Sequence, residues 1–474
     1  MFKIQRHIYF YNEVNFVEKS TRNVKIALLV NVLPLIDEKF FGGGGVLVEK
    51  ELAKELVSAW DNIHLIPKLT NVYYILENKN VLRNLINSKV KDRILGLECL
   101  NSGDSLVIYL SCIVQELRNN NYFLVDLNYS PGRDYQGLIR RDESIRTMPL
   151  FDRLSLRLGE IIYLTRKTRT KGAALLQGEG LTKIRFGIPI TYLKNEFYKL
   201  TNKSPVNVFL SLRSAIWYTK YKSILEQLLV TLLALNPYIV RIYGVSEGQL
   251  VNLGIQYFKK TKAIFPPFGI RKSFLQYDTR VIKKENYGIF WARHVPLKGT
   301  LEIPYIVKEI VKEKKDFVLR MAGKFAGDID KRFFDETKKL GIERNIEYIG
   351  FLDEKDLAEY IRRAKVFIYP THEDSFGIVI LESIYFRTPV VTYDILGPKS
   401  VFKDVPIVKF VKEYDYKKMA KEALKILNMS DEEYYSFISD RRVDEFIGKF
   451  KDWKSIASQY YNDIMSLANK KIKG

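Results

Sequence analysis

Residues 366–394, VFIYPTHEDSFGIVILESIYFRTPVVTYD, contain the pattern that decides the fold. The apolar run that ends at Pro370 predicts a buried strand, and a helical pattern begins near Gly377. Residues 389–393 then predict a second strand. A strand, a helix and a strand within about thirty residues form a βαβ unit. The polar loop HEDS should therefore lie at the carboxyl edge of a parallel sheet, where ligands bind.

The predicted helix is apolar on every face but contains one carboxylate, Glu382. A buried charge is costly unless it is paired, and a neighbouring arginine or a backbone amide is the ordinary partner of a single buried acid. Two further acids, Glu373 and Asp374, precede the helix, where free N–H groups and the helix dipole favour an anion. These two side chains could equally cap the helix themselves.

The segment PTHEDSFGIVILESIYFRTPVV resembles the signature of family 4 glycosyltransferases, which are retaining enzymes of the GT-B fold. The two acids of that signature correspond to Asp374 and Glu382, and its Phe-Gly pair to Phe376 and Gly377. The chain departs from the signature in two places. The first acid is Asp rather than Glu, which leaves open whether the neighbouring Glu373 shares its role.

The second departure is Arg387, which stands where a glycine is usual in the family. A second motif extends the resemblance. ARHVPLKG follows a strand predicted at residues 288–292 and matches the family's Gly-Arg, four residues, Lys-Gly except at Ala292. Taken alone, Arg293 and Lys298 are more simply ordinary surface charges. A forked arginine and a compact lysine nevertheless form a suitable pair for a diphosphate.

Glycines mark two more candidate ligand-binding loops. Four in succession, Gly42, Gly43, Gly44 and Gly45, follow the strand predicted at residues 24–30 and open a helix. Without Cβ atoms, their backbone amides can approach an anion closely, although a flexible surface loop is an equal alternative. In the family, a Gly-Gly loop here faces the donor phosphates. Gly323 follows a later predicted strand, in a loop where the family holds the nucleotide.

The resemblance implies a role for each acidic and basic residue of these motifs. Arg293 and Lys298 stabilise the departing diphosphate, Asp374 contacts hydroxyls of the donor sugar, and Glu382 accepts hydrogen bonds from the ribose. Fixed positive groups beside growing negative charge lower a reaction barrier. The resemblance also implies retention of configuration, with no metal and no cofactor besides the donor.

The remaining apolar segments predict a two-domain α/β protein. Residues 72–76, 106–110, 123–125 and 188–192 are predicted strands, Ser246 is a predicted helix cap, and residues 271–286 are a predicted linker. The end, FKDWKSIASQYYNDIMSLA, resembles the helix that in the GT-B fold crosses back onto the first domain. The predicted units are an N-terminal extension of unassigned role (1–22), an acceptor-side Rossmann-like domain (23–275), a nucleotide-sugar-binding Rossmann-like domain (276–450) and the C-terminal helix (451–474).

Composition narrows the class of protein. No apolar run reaches bilayer-spanning length, and the N-terminus lacks the apolar region of a signal peptide, so a cytoplasmic protein is expected. Two cysteines, Cys99 and Cys112, are too few for a disulfide framework or a thiolate metal site. The histidines show no ligand spacing, and the Asp-x-Asp pair at Asp328 and Asp330 is of a kind that arises by chance. We expect no bound metal.

The formal net charge of +21 indicates an anionic partner. An anionic membrane surface is favoured over nucleic acid, because no nucleic-acid-binding module is recognisable. The sequence thus predicts a nucleotide-sugar-dependent glycosyltransferase with a glycan, lipid-linked or protein acceptor, peripheral on the membrane. Two alternatives stay open: another GT-B enzyme such as a nucleotide-sugar epimerase, which requires no acceptor, and a non-catalytic basic binding protein on a decayed enzyme fold.

Overall fold

Two parallel β-sheets organise the chain. The computed structural model describes residues 24–37, 44–102, 105–129, 145, 148, 208–212, 231–277, 279 and 283–473. The first sheet has the strand order β2-β1-β3-β4-β5-β6, and the second has the order β12-β11-β10-β7-β8-β9. Their central strands are almost continuously apolar and buried, as expected for parallel sheets covered by helices on both faces.

The strands of the first sheet are β1 (Lys25–Val30), β2 (Ile63–Pro67), β3 (Tyr122–Tyr129), β4 (Val208–Leu212), β5 (Ile239–Gly244) and β6 (Thr261–Ala263). Those of the second are β7 (Glu285–Trp291), β8 (Val318–Ala322), β9 (Ile346–Gly350), β10 (Ala364–Tyr369), β11 (Val390–Tyr393) and β12 (Val408–Val411).

The helices that accompany the first sheet are α1 (Leu33–Ile36), α2 (Gly44–Ala59), α3 (Leu69–Glu77), α4 (Lys79–Ile86), α5 (Leu97–Ser102), α6 (Leu106–Asn119), α7 (Glu247–Leu253) and α8 (Lys272–Leu275). Those that follow are α9 (Ile303–Glu313), α10 (Ile329–Leu340), α11 (Glu354–Arg363), α12 (Ile378–Tyr385), α13 (Leu396–Phe402), α14 (Tyr416–Leu427), α15 (Asp431–Ile438), α16 (Arg441–Gly448) and α17 (Trp453–Lys473). Short 3-10 turns lie at Lys91–Arg93, Pro296–Lys298, Thr300–Glu302 and Glu343–Asn345.

The strand predictions for the first sheet were only partly right. Residues 123–125 lie in β3, but residues 72–76 lie in α3 and residues 106–110 begin α6. Both segments are short apolar runs, which periodicity alone cannot assign to a strand or a helix. The prediction for residues 188–192 lies outside the described residues. The βαβ unit predicted from the signature is present as β10, α12 and β11, whose strands pair in parallel.

The start of α7 contacts the second domain. Ser246 caps α7 as predicted, accepting a hydrogen bond from Gln249 N (3.0 Å), and its hydroxyl donates to Ser375 O (2.6 Å) in the loop after β10. Nearby, the backbones of α7 and α13 almost touch: a Cβ added to Gly248 would lie 2.0 Å from Leu396 O. Glycine is therefore required where the two helices cross.

The C-terminal helix α17 returns to the first sheet, as predicted. The Trp453 indole donates to Ile270 O (2.7 Å), and Tyr461 stacks on Trp60 with ring centroids 4.1 Å apart. Farther along, Asp463 pairs with Arg241 (3.0 Å). Apolar, aromatic and charged contacts thus hold this helix against the first domain.

The two cysteines are paired with each other. Cys99 on α5 and Cys112 on α6 form a disulfide, because the packed helices bring their Cα atoms to 6.2 Å. Sequence spacing did not indicate this contact. Among the helices in the described ranges, none has an apolar stretch long enough to cross a bilayer.

Candidate active site

The candidate active site lies where the order of the second sheet reverses. β7 and β10 are neighbours at its centre, and the chain continues from them toward opposite edges. The loop with Arg293 follows β7, and the loop with Glu373 and Asp374 follows β10. Ligands bind at the carboxyl ends of the strands that flank such a switch point. The fold therefore brings the two predicted motifs together.

Lys298 contacts the first acid of the signature directly. Its Nζ lies 3.0 Å from Asp374 Oδ2 and donates to Glu373 O at 2.6 Å. The hydroxyl of Tyr369, at the end of β10, donates to the same Asp374 oxygen at 2.6 Å. Asp374 is thus fixed by one cation and one phenol, while about a sixth of each side chain of the Lys298–Asp374 pair stays exposed. Neither Glu373 nor Asp374 caps α12, whose N-cap is Gly377.

The two loops are joined through their backbones. Gly299 has φ +72°, and a Cβ at this position would lie 2.0 Å from Pro370 O. His372 N donates to Leu297 O at 2.9 Å. Only glycine permits so close an approach in the left-handed region. Gly299 therefore sets the position of Lys298 beside the HEDS loop.

Arg293 has a different environment from Lys298. Its side chain is exposed at the start of the same loop. Across the ranges that the structure describes, no carboxylate pairs with it. Its guanidinium is consequently accessible to an anion at the carboxyl edge of the sheet.

Glu382 is buried in the middle of α12, with 1% of the residue exposed. Its Oε1 forms an ion pair with Arg271, which also contacts Glu354 Oε1 at 3.2 Å. Its other oxygen, Oε2, is buried and has no hydrogen-bond partner within the described part of the chain. Burial raises the pKa of Glu382 to about 7, against the opposing effect of Arg271. The arginine partner envisaged from the sequence is present, and one oxygen is left over.

The glycines and the phenylalanine of the motifs have visible structural roles. Gly377 has φ +94° at the start of α12, and a Cβ on Gly323 would lie 2.0 Å from Ala292 O. The ring of Phe376 is buried between Phe268 and Phe402, with centroids 4.6 and 5.2 Å away. Packing and backbone geometry therefore account for these three residues. Their contacts with a donor stay predictions.

One family model matches this part of the chain. It is described as glycosyl transferases group 1, and it covers residues 274–442. Residues 274–442 are a glycosyl transferases group 1 domain. Arg293, Lys298, Asp374 and Glu382 all lie within this group 1 domain.

Curated relatives match over shorter stretches. The capsular polysaccharide biosynthesis glycosyltransferase CapM of Staphylococcus aureus is 24% identical over 219 residues, 45% of this chain and 56% of CapM. The 2-deoxystreptamine N-acetyl-D-glucosaminyltransferase of Niallia circulans is 23% identical over 139 residues, 29% of this chain and 35% of that enzyme. The chain thus spans 56% or less of the length of these relatives.

Solved structures resemble almost the whole chain. Sucrose-phosphate synthase from Thermosynechococcus elongatus has a TM-score of 0.54 at 14% identity, covering 94% of this chain and 99% of that one. HepE from Anabaena, solved in complex with UDP, has a TM-score of 0.55 at 12% identity, covering 94% and 100%. At these identities the likeness concerns the fold. The predicted GT-B architecture of two Rossmann-like domains is confirmed.

The first domain presents a buried polar network beside the start of α2. Lys68 Nζ lies 3.2 Å from both Glu49 Oε1 and Asp126 Oδ1, at the carboxyl ends of β2 and β3. These two carboxylates raise the pKa of Lys68 although burial opposes them, and burial raises the pKa of Asp126. A Cβ on Gly45 would lie 3.3 Å from Asn128 Oδ1.

This network holds the start of α2 at the sheet edge. Gly44 and Gly45 begin that helix, whereas Gly42 and Gly43 lie outside the described residues. A weak sign of the network is present in the sequence, since charged residues directly follow two apolar segments.

Sequence reasoning missed one histidine of the group 1 domain. The two ring nitrogens of His372 contact the carboxylates of Glu302 and Glu413, the latter at 2.8 Å. Burial lowers the pKa of His372, but the two carboxylates outweigh burial and raise it overall. His372 ties the HEDS loop to the turn before α9 and to the segment after β12. No local spacing indicated this, because its partners are distant in sequence.

Proposed function

We propose that the protein transfers a sugar from a nucleotide-diphosphate sugar to a glycan, lipid-linked or protein acceptor, with retention of configuration, as family 4 glycosyltransferases do. The observation that carries the proposal is the pairing of Lys298 with Asp374 at the switch point of a group 1 domain. The name of CapM favours a polysaccharide-type acceptor.

The charges at this edge suit the departure of a nucleoside diphosphate. Breaking the sugar–phosphate bond builds negative charge on the diphosphate while the sugar becomes cation-like. Exposed Arg293 can supply a planar, forked donor, and Lys298 a compact ammonium. Lys298 is already held beside the HEDS loop before the reaction, so this side chain needs little rearrangement to stabilise the new charge.

The acids then orient the donor. Asp374, held by Lys298 and the Tyr369 hydroxyl, is placed to accept hydrogen bonds from sugar hydroxyls. The free Oε2 of Glu382 is an acceptor that lacks a donor in the described chain, and a ribose hydroxyl would satisfy it. Gly44 and Gly45 would approach the diphosphate from the opposite domain. We propose that Arg293 and Lys298 fill the charge-stabilising role without a bound metal, which excess chelator tests.

A thermal-shift panel of nucleoside diphosphates and nucleotide sugars tests donor binding first. A ligand at a hundred times its dissociation constant should add about 2.7 kcal/mol of stability. With the identified donor, Lys298→Ala should lower turnover about 10²- to 10³-fold, while Lys338→Ala on the exposed face of α10 should match the parent. Donor hydrolysis or epimerisation without transfer to any acceptor would replace this proposal with the epimerase alternative.

We also propose that the protein is cytoplasmic and binds an anionic membrane surface peripherally. The net charge of +21 supports electrostatic attraction to anionic lipid. A patch on the first domain supports a defined face: Leu235 and Tyr257 are 61% and 89% exposed, and Ile472 on α17 is 56% exposed. Lys260 donates to Asn236 O at 2.5 Å, next to Leu235 in the chain, and it feels the charge of Lys471, which precedes Ile472.

A further inference from the structure

A cavity of about 260 Å³ opens at the amino edge of the second sheet. Its lining includes Lys284, one residue before β7, and Arg387, three residues before β11. The motifs of the candidate active site follow the opposite ends of the sheet's strands. A strand of seven residues spans roughly 20 Å, so this cavity is separate from the proposed donor site.

The Lys284 amine lines the cavity, and no described carboxylate pairs with it. Its Nζ donates to Phe386 O (3.0 Å) and Thr388 Oγ1 (2.7 Å), which are both uncharged. An ammonium has three N–H donors, so one remains for a further acceptor. Burial, and then repulsion from Arg362 and Arg387, lower the pKa of Lys284 well below its ordinary value. Bound negative charge would relieve both effects.

Arg387 is the second cation, and its backbone is unusual. Its φ is +56°, a left-handed conformation that costs free energy for any residue with a Cβ. Its guanidinium donates to Ile438 O (3.2 Å) and pairs with Asp444, whose side chain is 61% exposed. An arginine retained in a strained conformation, with its charged end lining a cavity, indicates a role for that end.

We propose that this cavity binds a phosphate-type oxyanion, either free phosphate or the phosphate group of a phosphomonoester. Lys284 supplies a point charge and Arg387 a forked donor, the two side chains that proteins use for this group. Hydroxyls of Thr279, Tyr435 and Ser439 line the same cavity and can donate to the remaining oxygens. Asp444 competes with the anion for the Arg387 guanidinium and so weakens binding of the anion.

Isothermal titration calorimetry on the full chain tests the proposal with sulfate, phosphate and glycerol 3-phosphate, each against chloride at equal ionic strength. The parent should bind the tetrahedral anions and not chloride. Lys284→Met should weaken binding about tenfold or more. Asp444→Asn should strengthen it about threefold, because it removes the competing charge. Tighter binding of glycerol 3-phosphate than of phosphate identifies a phosphomonoester as the ligand.

Two variants separate this cavity from other cationic surfaces. Arg441→Met, on the same helix as Asp444 and fully outside the cavity lining, should bind like the parent. Arg293→Ala, which removes a cation of the proposed donor site, should retain the binding that Lys284→Met weakens, whether or not the protein transfers sugar. Absence of binding, unchanged binding in Lys284→Met, or a loss confined to Arg293→Ala would overturn the proposal. Thermal unfolding of each variant verifies its folding, and the gain in Asp444→Asn cannot arise from misfolding.

Discussion

At the scale of single residues, Glu382 combines a structural bond with an unused acceptor. The sequence showed a lone acid in an apolar helix and predicted that it needs a partner. It could not identify Arg271, which lies 111 residues away in the sequence and meets Glu382 only through the tertiary fold. Because the pair is buried, removing either charge would leave the other buried without a partner.

Removing the Arg271 guanidinium should lower the stability of the protein. Arg271→Met leaves Glu382 buried and unpaired, so the free energy of unfolding should fall by about 3–5 kcal/mol in urea denaturation at pH 8. The control is Lys262, whose side chain is 47% exposed and lies 2.8 Å from Asp463. Lys262→Met should lose less than about 1 kcal/mol. Equal losses in the two variants would show that burial of the Arg271 pair is unimportant.

The pKa of Glu382 sets the pH dependence of this loss. Its folded-state pKa is raised to about 7 from an ordinary 4.5, so folding favours the protonated acid. The contribution of this group to stability is fully present below pH 4.5 and is lost as pH rises through 7. The difference in the free energy of unfolding between the parent and Arg271→Met should therefore be smaller at pH 5, where Glu382 can become neutral.

Because Glu382 Oε2 has no partner in the described chain, we expect a substitution of Glu382 to weaken donor binding. Glu382→Gln should raise the Michaelis constant for the donor about 10- to 100-fold and change turnover less, because ribose hydroxyls gain no charge during the reaction. Glu354→Gln is a matched control, since Glu354 also bonds Arg271 but is 40% exposed. Steady-state kinetics and calorimetry with the nucleoside diphosphate measure both variants. Similar losses in the two would assign the effect to Arg271 instead of the ribose.

At the scale of elements, the signature was the most predictable part of the chain. β10, α12 and β11 are each encoded by local pattern, and so is the cap at Ser246. The first sheet was less predictable, because its apolar runs are short and two of them, residues 72–76 and 106–110, lie in helices. The contacts of His372 with Glu302 and Glu413, which we call the His372 clamp, could not be predicted from the sequence. The two glutamates belong to other elements and are distant from His372 in sequence.

The His372 clamp should make loop stability depend on pH. The pKa of His372 is raised in the folded protein, so its contribution to stability is fully present below the unfolded pKa and is lost as pH rises through the folded pKa. The groups that face it are Glu302, Glu413, Tyr393 and Tyr414.

Melting temperatures of the parent and of His372→Gln measure this effect across pH. The parent should exceed the variant most near pH 5.5, and the difference should narrow as pH rises. His64→Gln is the control: burial lowers the pKa of His64, so its difference from the parent should not grow at low pH. If the difference in melting temperature between the parent and His372→Gln does not change with pH, protonation of His372 does not contribute to the clamp.

At the scale of the whole molecule, net charge and exposed apolar residues favour one face for a membrane. Leu235, Tyr257 and Ile472 are exposed, and burial together with the nearby Lys471 lowers the pKa of Lys260. Crowded lysines beside exposed apolar side chains suit an anionic surface, which relieves the repulsion and accepts the apolar groups.

Vesicle flotation tests this face. The parent should bind phosphatidylserine-containing vesicles at low salt and dissociate as salt screens the charges. The pair Lys260→Glu and Lys471→Glu should weaken binding by about 2 kcal/mol or more, at roughly 1 kcal/mol for each lysine near the surface. The pair Lys338→Glu and Lys339→Glu on α10 changes the net charge equally but lies on the second domain. If both pairs weaken binding alike, the total charge and not this patch determines association, and if the parent never floats at low salt, the protein has no membrane-binding face.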